Sequence, residues 1–457
     1  VGGVLGVWRR VVGIPAAAAL TLGAVSVAVL VASATPASAA TDLVTTEAQF
    51  RADFNSNSFD TLVLQNDIHL TGCTPGSRAA RTTANNPLTV DGQGQFKIVQ
   101  DCDGFGVLTV PSPDTSNVTL RGVTITGAHD SGDGGGIEFE GTNLTIDHST
   151  FINNHTSVLF GDDGGGVDFE GTGTLTVTLS TFANNSAADD GGGVNCDSPP
   201  ASGTGHPMTV TGSTFTANST LAGQGDSGGA IDMEVQGCAL TMTNSTVTAN
   251  TSGDDAAITS ERSAGPVTLV YDSIVNNATA PASPGPASIR PKEAGPDDTG
   301  HDKPGVHAEN DTAAVATANL EAVTPSSLTV FGTVVAHPHG GPNCSDATGA
   351  PLAGISSAGY NLADDTSCGL TNATDKQAAG LDPKLGALAN NGGPTQTLLP
   401  LTGSPLIDAI AAAACQSGPA AGITVDQRGV ARPQGPGCDI GAVEVVVPLV
   451  VQPRFTG

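Results

Sequence analysis

Short apolar phrases alternate with threonine at a period of two: Leu144-Thr-Ile146, Leu175-Thr-Val177, Met208-Thr-Val210 and Leu240-Thr-Met242. Such spacing predicts three- to five-residue strands with one buried face. Two further phrases recur in phase with them. The first is a glycine triplet closed by a branched residue, at Gly134–Ile137, Gly164–Val167 and Gly191–Val194, with Gly228-Gly-Ala-Ile231 as a variant, at intervals of 30, 27 and 37 residues. The second is Ser-Thr-Phe-x-x-Asn, at Ser149–Asn154, Ser180–Asn185 and Ser213–Asn218, with looser copies at Ser245–Asn250 and Ser273–Asn277. Strands this short cannot bury a face alone, so they must stack, and one phrase repeated in phase predicts the coils of a parallel β-solenoid. A β-sandwich or propeller fits poorly, because antiparallel folds need hairpin signals between strands. In the coil reading, Ile137, Val167, Val194 and Ile231 form one interior row. The repeated Asn stacks its amides in a ladder at a bend, and the triplet supplies positive φ at a turn.

Flanking segments complete an all-β reading over 40–278. Thr46-Glu-Ala-Gln49 with Phe50 and Phe54 predicts a short capped helix that closes the N-terminal end, with Thr46 as N-cap and Gln49 as its return partner. Leu62–Leu64, Leu88–Val90, Phe96–Ile98 and Val118–Leu120 then begin the coils. Residues 279–325 are rich in Ala, Pro, Gly, Asp and Thr without periodicity and read as a linker or insertion. Alternation resumes at Leu328-Thr-Val330, so one more coil is expected in 326–445, followed by a tail over 446–457.

The N-terminus predicts export. Arg9-Arg10, an uncharged run from Val11 to Ala34 and Ala37-Ser38-Ala39 fit a signal peptide over 1–39 cleaved before Ala40. An uncleaved membrane anchor is the alternative, since the apolar run is long enough to span a bilayer. Eight cysteines follow, which suits an oxidising compartment. A chain that coils forward brings sequence neighbours together, so the expected pairs are Cys73 with Cys102, Cys196 with Cys238, Cys344 with Cys368, and Cys415 with Cys438.

Charge narrows the function. With 16 Lys+Arg against 44 Asp+Glu, the net charge is −28, which disfavours nucleic acid and anionic lipid as partners. Between Arg121 and Arg262 there are 18 acidic residues and no Lys or Arg. Carboxylates gather before each glycine turn, at Asp130, Asp133, Asp162, Asp163, Asp189, Asp190, Asp226, Asp254 and Asp255. Others gather after it, at Glu138/Glu140, Asp168/Glu170, Asp197 and Asp232/Glu234. Stacked coils would bring these like charges together, and Ca²⁺ suits such closely spaced hard oxygens. The nine aspartates before the turns are therefore candidate Ca²⁺ ligands, weighed against a plain solvated acidic face.

The repeats resemble the GG[AIV] and FxxN phrases of polymorphic outer membrane protein repeats, found in right-handed parallel β-helix surface proteins. Farther on, Asn390–Thr397, Ser404–Asp408, Asp426–Gly429, Arg432-Pro433 and Cys438–Glu444, with Gly359–Leu362 before them, resemble the signature of bacterial choice-of-anchor Q domain proteins. The resemblance implies a secreted or cell-surface right-handed β-helix and no particular activity. Leu399–Gly403 spells a sortase motif that lacks the apolar span and basic tail needed after it, and the chain stops at Gly457 without an apolar tail, so release into the medium is expected. Asp408, Asp426, Arg428, Arg432, Asp439 and Glu444 would pair over the last coil and plug its open edge.

Catalysis has less support. Parallel β-helices include pectate lyases and polygalacturonases, and the post-turn carboxylates could serve glycosidase chemistry. The Asn-Thr-Asp, Gly-His-Gly and Arg-Ile-Lys clusters of polygalacturonases are missing, Gly161-Asp-Asp163 matching only a fragment. His129, His148, His155 and His206 show no nucleophile-base spacing and read as loop residues. The expected function is a monomeric, non-catalytic, adhesin-like protein that meets a polysaccharide or cell-surface ligand. The alternative is a polysaccharide lyase or glycoside hydrolase.

Overall fold

In a computed structural model, the described residues are 40–73, 77–111, 115–156, 162–197, 206–221, 227–234, 237–253, 255–260, 264–280, 317–322, 327–346, 350–352 and 355–446. The leader, the excursion at 198–205, most of the linker (281–316) and the tail beyond 446 lie outside them. Among the described residues, no helix is long and apolar enough to cross a membrane.

The strands stack into three long sheets in which neighbours are parallel. Sheet 1 has eleven strands from Thr41–Val44 to Ser356–Gly359; sheet 2 has nine, from Ala79–Ala80 to Cys344–Ser345; sheet 3 has eleven, from Ile68–Leu70 to Lys376–Gln377. Each coil visits them in turn, as Ile137–Phe139 (sheet 2), Asn143–Asp147 (sheet 1) and Thr150–Ile152 (sheet 3) do. Four two-residue strands, from Ser186–Ala187 to Ala278–Thr279, add a small fourth sheet that the repeat did not predict.

Period two does what it predicts. Leu144 and Ile146 are buried while Thr145 is half-exposed, and they pair in register with Leu175 and Val177 of the next coil. Ile137, Val167, Val194 and Ile231 form one row, which continues through Ile258 and Leu320 to Cys344. Phe151, Phe182 and Phe215 stack with ring centres 5.1 and 4.8 Å apart. Such offset pairs add about 0.5–1.5 kcal/mol each beyond the area they bury.

Two buried polar ladders bind coil to coil at the corners. Asn154, Asn185, Asn218, Asn250 and Asn277 each donate Nδ2 to the Oδ1 of the next Asn or, from Asn277, of Asn319, at 2.8–3.1 Å. Asn319 passes the ladder to Asn343, which ends on Asp364. At the corner between sheets 1 and 3, the backbone N–H groups of Ser149, Ser180 and Ser213 donate to the Oγ of the next Ser, and Ser245 donates to Asp272.

The glycine triplet has two jobs. Gly164 has φ +63, and a Cβ there would meet Asp168 at 2.5 Å. Gly165 needs no positive φ, but its Cβ would meet the Ser186 carbonyl at 2.5 Å and Gly192 O at 2.6 Å, because successive turns stack backbone on backbone.

At the N-terminal end, Thr46 Oγ1 accepts from Gln49 N–H and Phe50 and Phe54 are buried against the first coil. The return bond differs from expectation: Gln49 Oε1 accepts from Thr45 N–H rather than Thr46 N–H. A strand, Thr41–Val44, precedes the helix and starts sheet 1. All four disulfides join the expected cysteines, and no cysteine is free.

Three expectations are corrected. At the edges of the supposed linker, the strand Ala278–Thr279 runs one residue into it and Leu320–Ala322 is a coil strand; the latter is three residues long, too short for period two to register. More than one coil follows it, since Ser356–Gly359 and Lys376–Gln377 extend sheets 1 and 3 with small or polar residues that carry no apolar alternation. The C-terminal block does not plug the last coil. It packs along the flank of earlier coils, where Thr395 Oγ1 donates to Gly212 O, Asn244 Nδ2 to Val425 O, and Tyr271 hydroxyl to Cys415 O. Its opposite charges do pair, but within the block and buried: Arg432 with Glu444 at 3.1 Å and Arg428 with Asp426 at 2.8 Å.

Candidate functional site: the acidic face of sheet 2

Sheet 2 carries a polar row between its interior rows. Strand alternation turns Ile137 and Phe139 inward and Glu138 outward, and register then places Thr109, Glu138, Asp168, Asn195, Asp232, Thr259, Glu321 and Ser345 side by side. Although it faces away from the core, this row is buried: Asp168 is 2%, Asn195 0% and Asp232 0% exposed. Thr109 Oγ1 donates to Glu138 Oε2 (2.9 Å), and Asn195 Nδ2 donates to Asp168 Oδ1 (3.2 Å). Asn195 Oδ1 has no hydrogen-bond partner, between Asp168 on one side and Asp232 on the other.

Immediately after these strands come Glu140, Glu170, Asp197 and Glu234. Burial, with Asp197, Glu140, Asp133 and Glu138 nearby, pushes the Glu170 carboxyl up to about 9. Burial likewise holds Asp168 well above the ordinary carboxylate range, reinforced by Glu170, Asp133, Asp163 and Asp197. Removing water disfavours the ionised form, and like charges add to that cost.

A second acidic row lies just before the glycine turn. Asp133 Oδ1 accepts from Asp163 N–H (2.8 Å), Asp163 Oδ1 from Asp190 N–H (2.9 Å), and Asp190 Oδ1 from Ser227 N–H (2.6 Å). Asp255 continues it by accepting from Ser227 Oγ at 2.8 Å. These carboxylates therefore pin successive turns with one oxygen each. Asp163, Asp189 and Asp190 bring one carboxylate oxygen apiece to within 4.8 Å of one another, close enough to share a cation.

Of the nine candidate Ca²⁺ ligands, the structure gathers these three. Asp130 is paired with Arg78 instead, and Asp162 is buried beside them in sequence, its carbonyl accepting from Thr156 Oγ1. Asp133 and Asp255 lie on the row; Asp226 and Asp254 lie outside the described residues.

One functional residue escaped sequence reasoning. Arg78, upstream of the cation-free stretch, reaches across the coils to pair with both Asp130 and Glu138, and it donates to Asp133 O at 2.6 Å. A separation of 60 residues from Glu138 leaves no local signal; only the coil stacking joins them. The histidines depart from the loop reading too. His206 starts a strand and is 1% exposed, and Pro207 hides that strand from a propensity reading. His129 and His155 lie in register on adjacent coils.

A sequence-family profile described as right handed beta helix region matches residues 98–284. Among curated proteins none matches the chain. A solved structure described as "L. reuters 100-23 SRRP" aligns over 71% of this chain and 84% of its own, at 15% identity and a TM-score of 0.31. The three parallel sheets and the matched profile together make this a right-handed parallel β-helix protein.

Proposed function

We propose that this is an exported, non-catalytic β-helix protein of the cell surface or surrounding medium, whose sheet 2 face engages a polysaccharide or cell-surface ligand through bound Ca²⁺. The observation that carries the reading is the pair of in-register acidic rows on a rigid sheet, with Asp163, Asp189 and Asp190 converging beside them. Buried carboxylates held in register repel one another, and a hard divalent cation relieves that repulsion while offering open coordination positions to sugar hydroxyls or carboxylates. Asn195 Oδ1, buried without a donor, is one more oxygen facing the same row.

Export is supported by four disulfides that use every cysteine, an arrangement that persists in oxidising compartments. The likeness of the C-terminal motifs to choice-of-anchor Q domain proteins, and of the repeats to polymorphic outer membrane protein repeats, supports a surface setting. The test is a glycan array probed with the chain from Ala40 onward, in Ca²⁺ and in chelator. Binding to a defined glycan class that chelator abolishes is expected; binding that chelator leaves unchanged would remove the metal from the reading.

One observation favours a second reading, glycoside hydrolysis. Glu170 stays protonated at neutral pH, as a general acid must, and it follows Asp168 by two residues beside the ionisable Asp197. Turnover of any polyuronate or neutral glycan that Glu170→Gln abolishes would replace the binding reading with this one.

A further inference from the structure

Outside the acidic face, the coils bring together two imidazoles far apart in sequence. His129 and His155 pair in register on adjacent coils, with ring centres 5.4 Å apart and planes at 75°. The Nδ1 side of His155 is hydrogen-bonded, and that of His129 faces a carboxylate at longer range. His155 Nδ1 lies 2.7 Å from Ser186 Oγ, on the following coil, and His129 Nδ1 lies 4.0 Å from Asp103 Oδ1, on the preceding one. That leaves Nε2 of both rings without a hydrogen-bond partner among the described residues. His129 and Asp103 are exposed and His155 is half-buried, so an ion can reach the pair from solvent.

We propose that His129 and His155 bind a borderline transition-metal ion of the Zn²⁺ class through their Nε2 atoms, at a site separate from the carboxylates of sheet 2. Metal-bound histidines characteristically have their second ring nitrogen held by a carboxylate, carbonyl or hydroxyl, which fixes the tautomer and aims the ring. Ser186 holds that position for His155, and Asp103 stands on the same side of His129 at 4.0 Å. With Zn–N bonds of about 2.0–2.1 Å and tetrahedral angles, two imidazole centres stand about 5 Å apart, which the observed separation matches. Neutral imidazole is required for binding, so the affinity should fall as pH is lowered. Imidazole donors select Zn²⁺, Cu²⁺ or Ni²⁺ over Ca²⁺ and Mg²⁺. The remaining positions are open to water or to a donor from outside the chain.

The discriminating experiment is calorimetric titration of the chain from Ala40 onward with Zn²⁺ in buffer already saturated with Ca²⁺, so that hard-oxygen sites are filled. The expected result is one Zn²⁺ per chain, an affinity about tenfold or more weaker in both His129→Ala and His155→Ala, and a smaller loss in Asp103→Asn. Melting curves in chelator should be the same for His129→Ala and the parent chain, because that ring is exposed and makes no short hydrogen bond. Absence of stoichiometric Zn²⁺ binding, or affinity within twofold of the parent in His129→Ala, would overturn the assignment. Loss of Ca²⁺-dependent glycan binding would bear on the acidic face alone and leave this result untouched.

Discussion

Glu170 shows how much the setting of one residue matters. As a free side chain it would be ionised at neutral pH; burial, and then the nearby Asp197, Glu140, Asp133 and Glu138, push its carboxyl up to about 9. A folded-state value above the unfolded one means that the fold holds the proton more tightly. Its stabilising contribution is fully present below the unfolded value of 4.5 and is lost as pH rises through about 9. Asp168 acts in the same direction. In chelator, the melting temperature is therefore expected to fall between pH 7 and pH 10, and Glu170→Gln should flatten that fall. A melting temperature that rises over this range would contradict the assigned protonation. Arg78 is the counterpart, one guanidinium serving Asp130 and Glu138, and its loss would leave both carboxylates buried without their cation.

At the scale of elements, no strand among the described residues exceeds six residues, and strands this short need neighbours to be stable. Stability is collective and resides in rows. Asn218 stands mid-ladder: its Oδ1 accepts from Asn185 N–H and Asn185 Nδ2, while its Nδ2 donates to Phe182 O and Asn250 Oδ1. Asn218→Ala leaves these groups unpaired in a dry interior and is expected to cost about 3 kcal/mol, read from chemical denaturation. Asn153, exposed two coils earlier, gives the control; its replacement by Gly should cost little because its φ is already +56. Rows of this kind were legible in the sequence wherever one residue type recurs at one phase, as with the Ser, Phe, Asn and Gly positions of 134–277. Legibility failed where the coil is made by unlike residues. Leu320–Ala322 pairs in register with its neighbour and Ser356–Gly359 pairs across a register shift at Val330/Phe331, yet nothing in their composition repeats. The acidic rows were half legible: the charges could be counted, but Arg78 and the choice of Asp163, Asp189 and Asp190 depend on stacking that spacing alone does not specify.

At the largest scale, within Ala39–Gly457, parallel sheets stack coil on coil and a folded block is clasped to their flank. Gln427 is the clasp. Its buried Nε2, with two hydrogens to donate, lies within hydrogen-bond distance of Ser213 O, Thr214 Oγ1, Thr395 Oγ1 and Gln396 O, and its Oε1 accepts from Thr246 Oγ1, so it ties two coils to the block. Arg432 adds a stacking contact 4.1 Å from the centre of the Tyr271 ring and a bond to Asn244 Oδ1. Gln427→Ala is expected to raise hydrogen exchange across 390–444 while the interior rows of sheet 2 stay protected, because the coils close their own hydrogen bonds. Equal loss of protection in both regions would mean that the block holds the coils together.

The most direct test of a cation-dependent acidic face is the melting temperature at fixed ionic strength in millimolar Ca²⁺, in Mg²⁺ and in chelator, for the parent chain and for Asp189→Asn. Asp189 is chosen because its carboxylate joins the three-oxygen cluster without carrying a rung of the ladder. Ligand binding to the folded state alone raises stability by mass action, so Ca²⁺ should raise the melting temperature by about 2 °C or more, Mg²⁺ by less, and Asp189→Asn should remove most of the gain. Superimposable curves in Ca²⁺ and chelator would contradict the claim and leave a solvated acidic surface in its place.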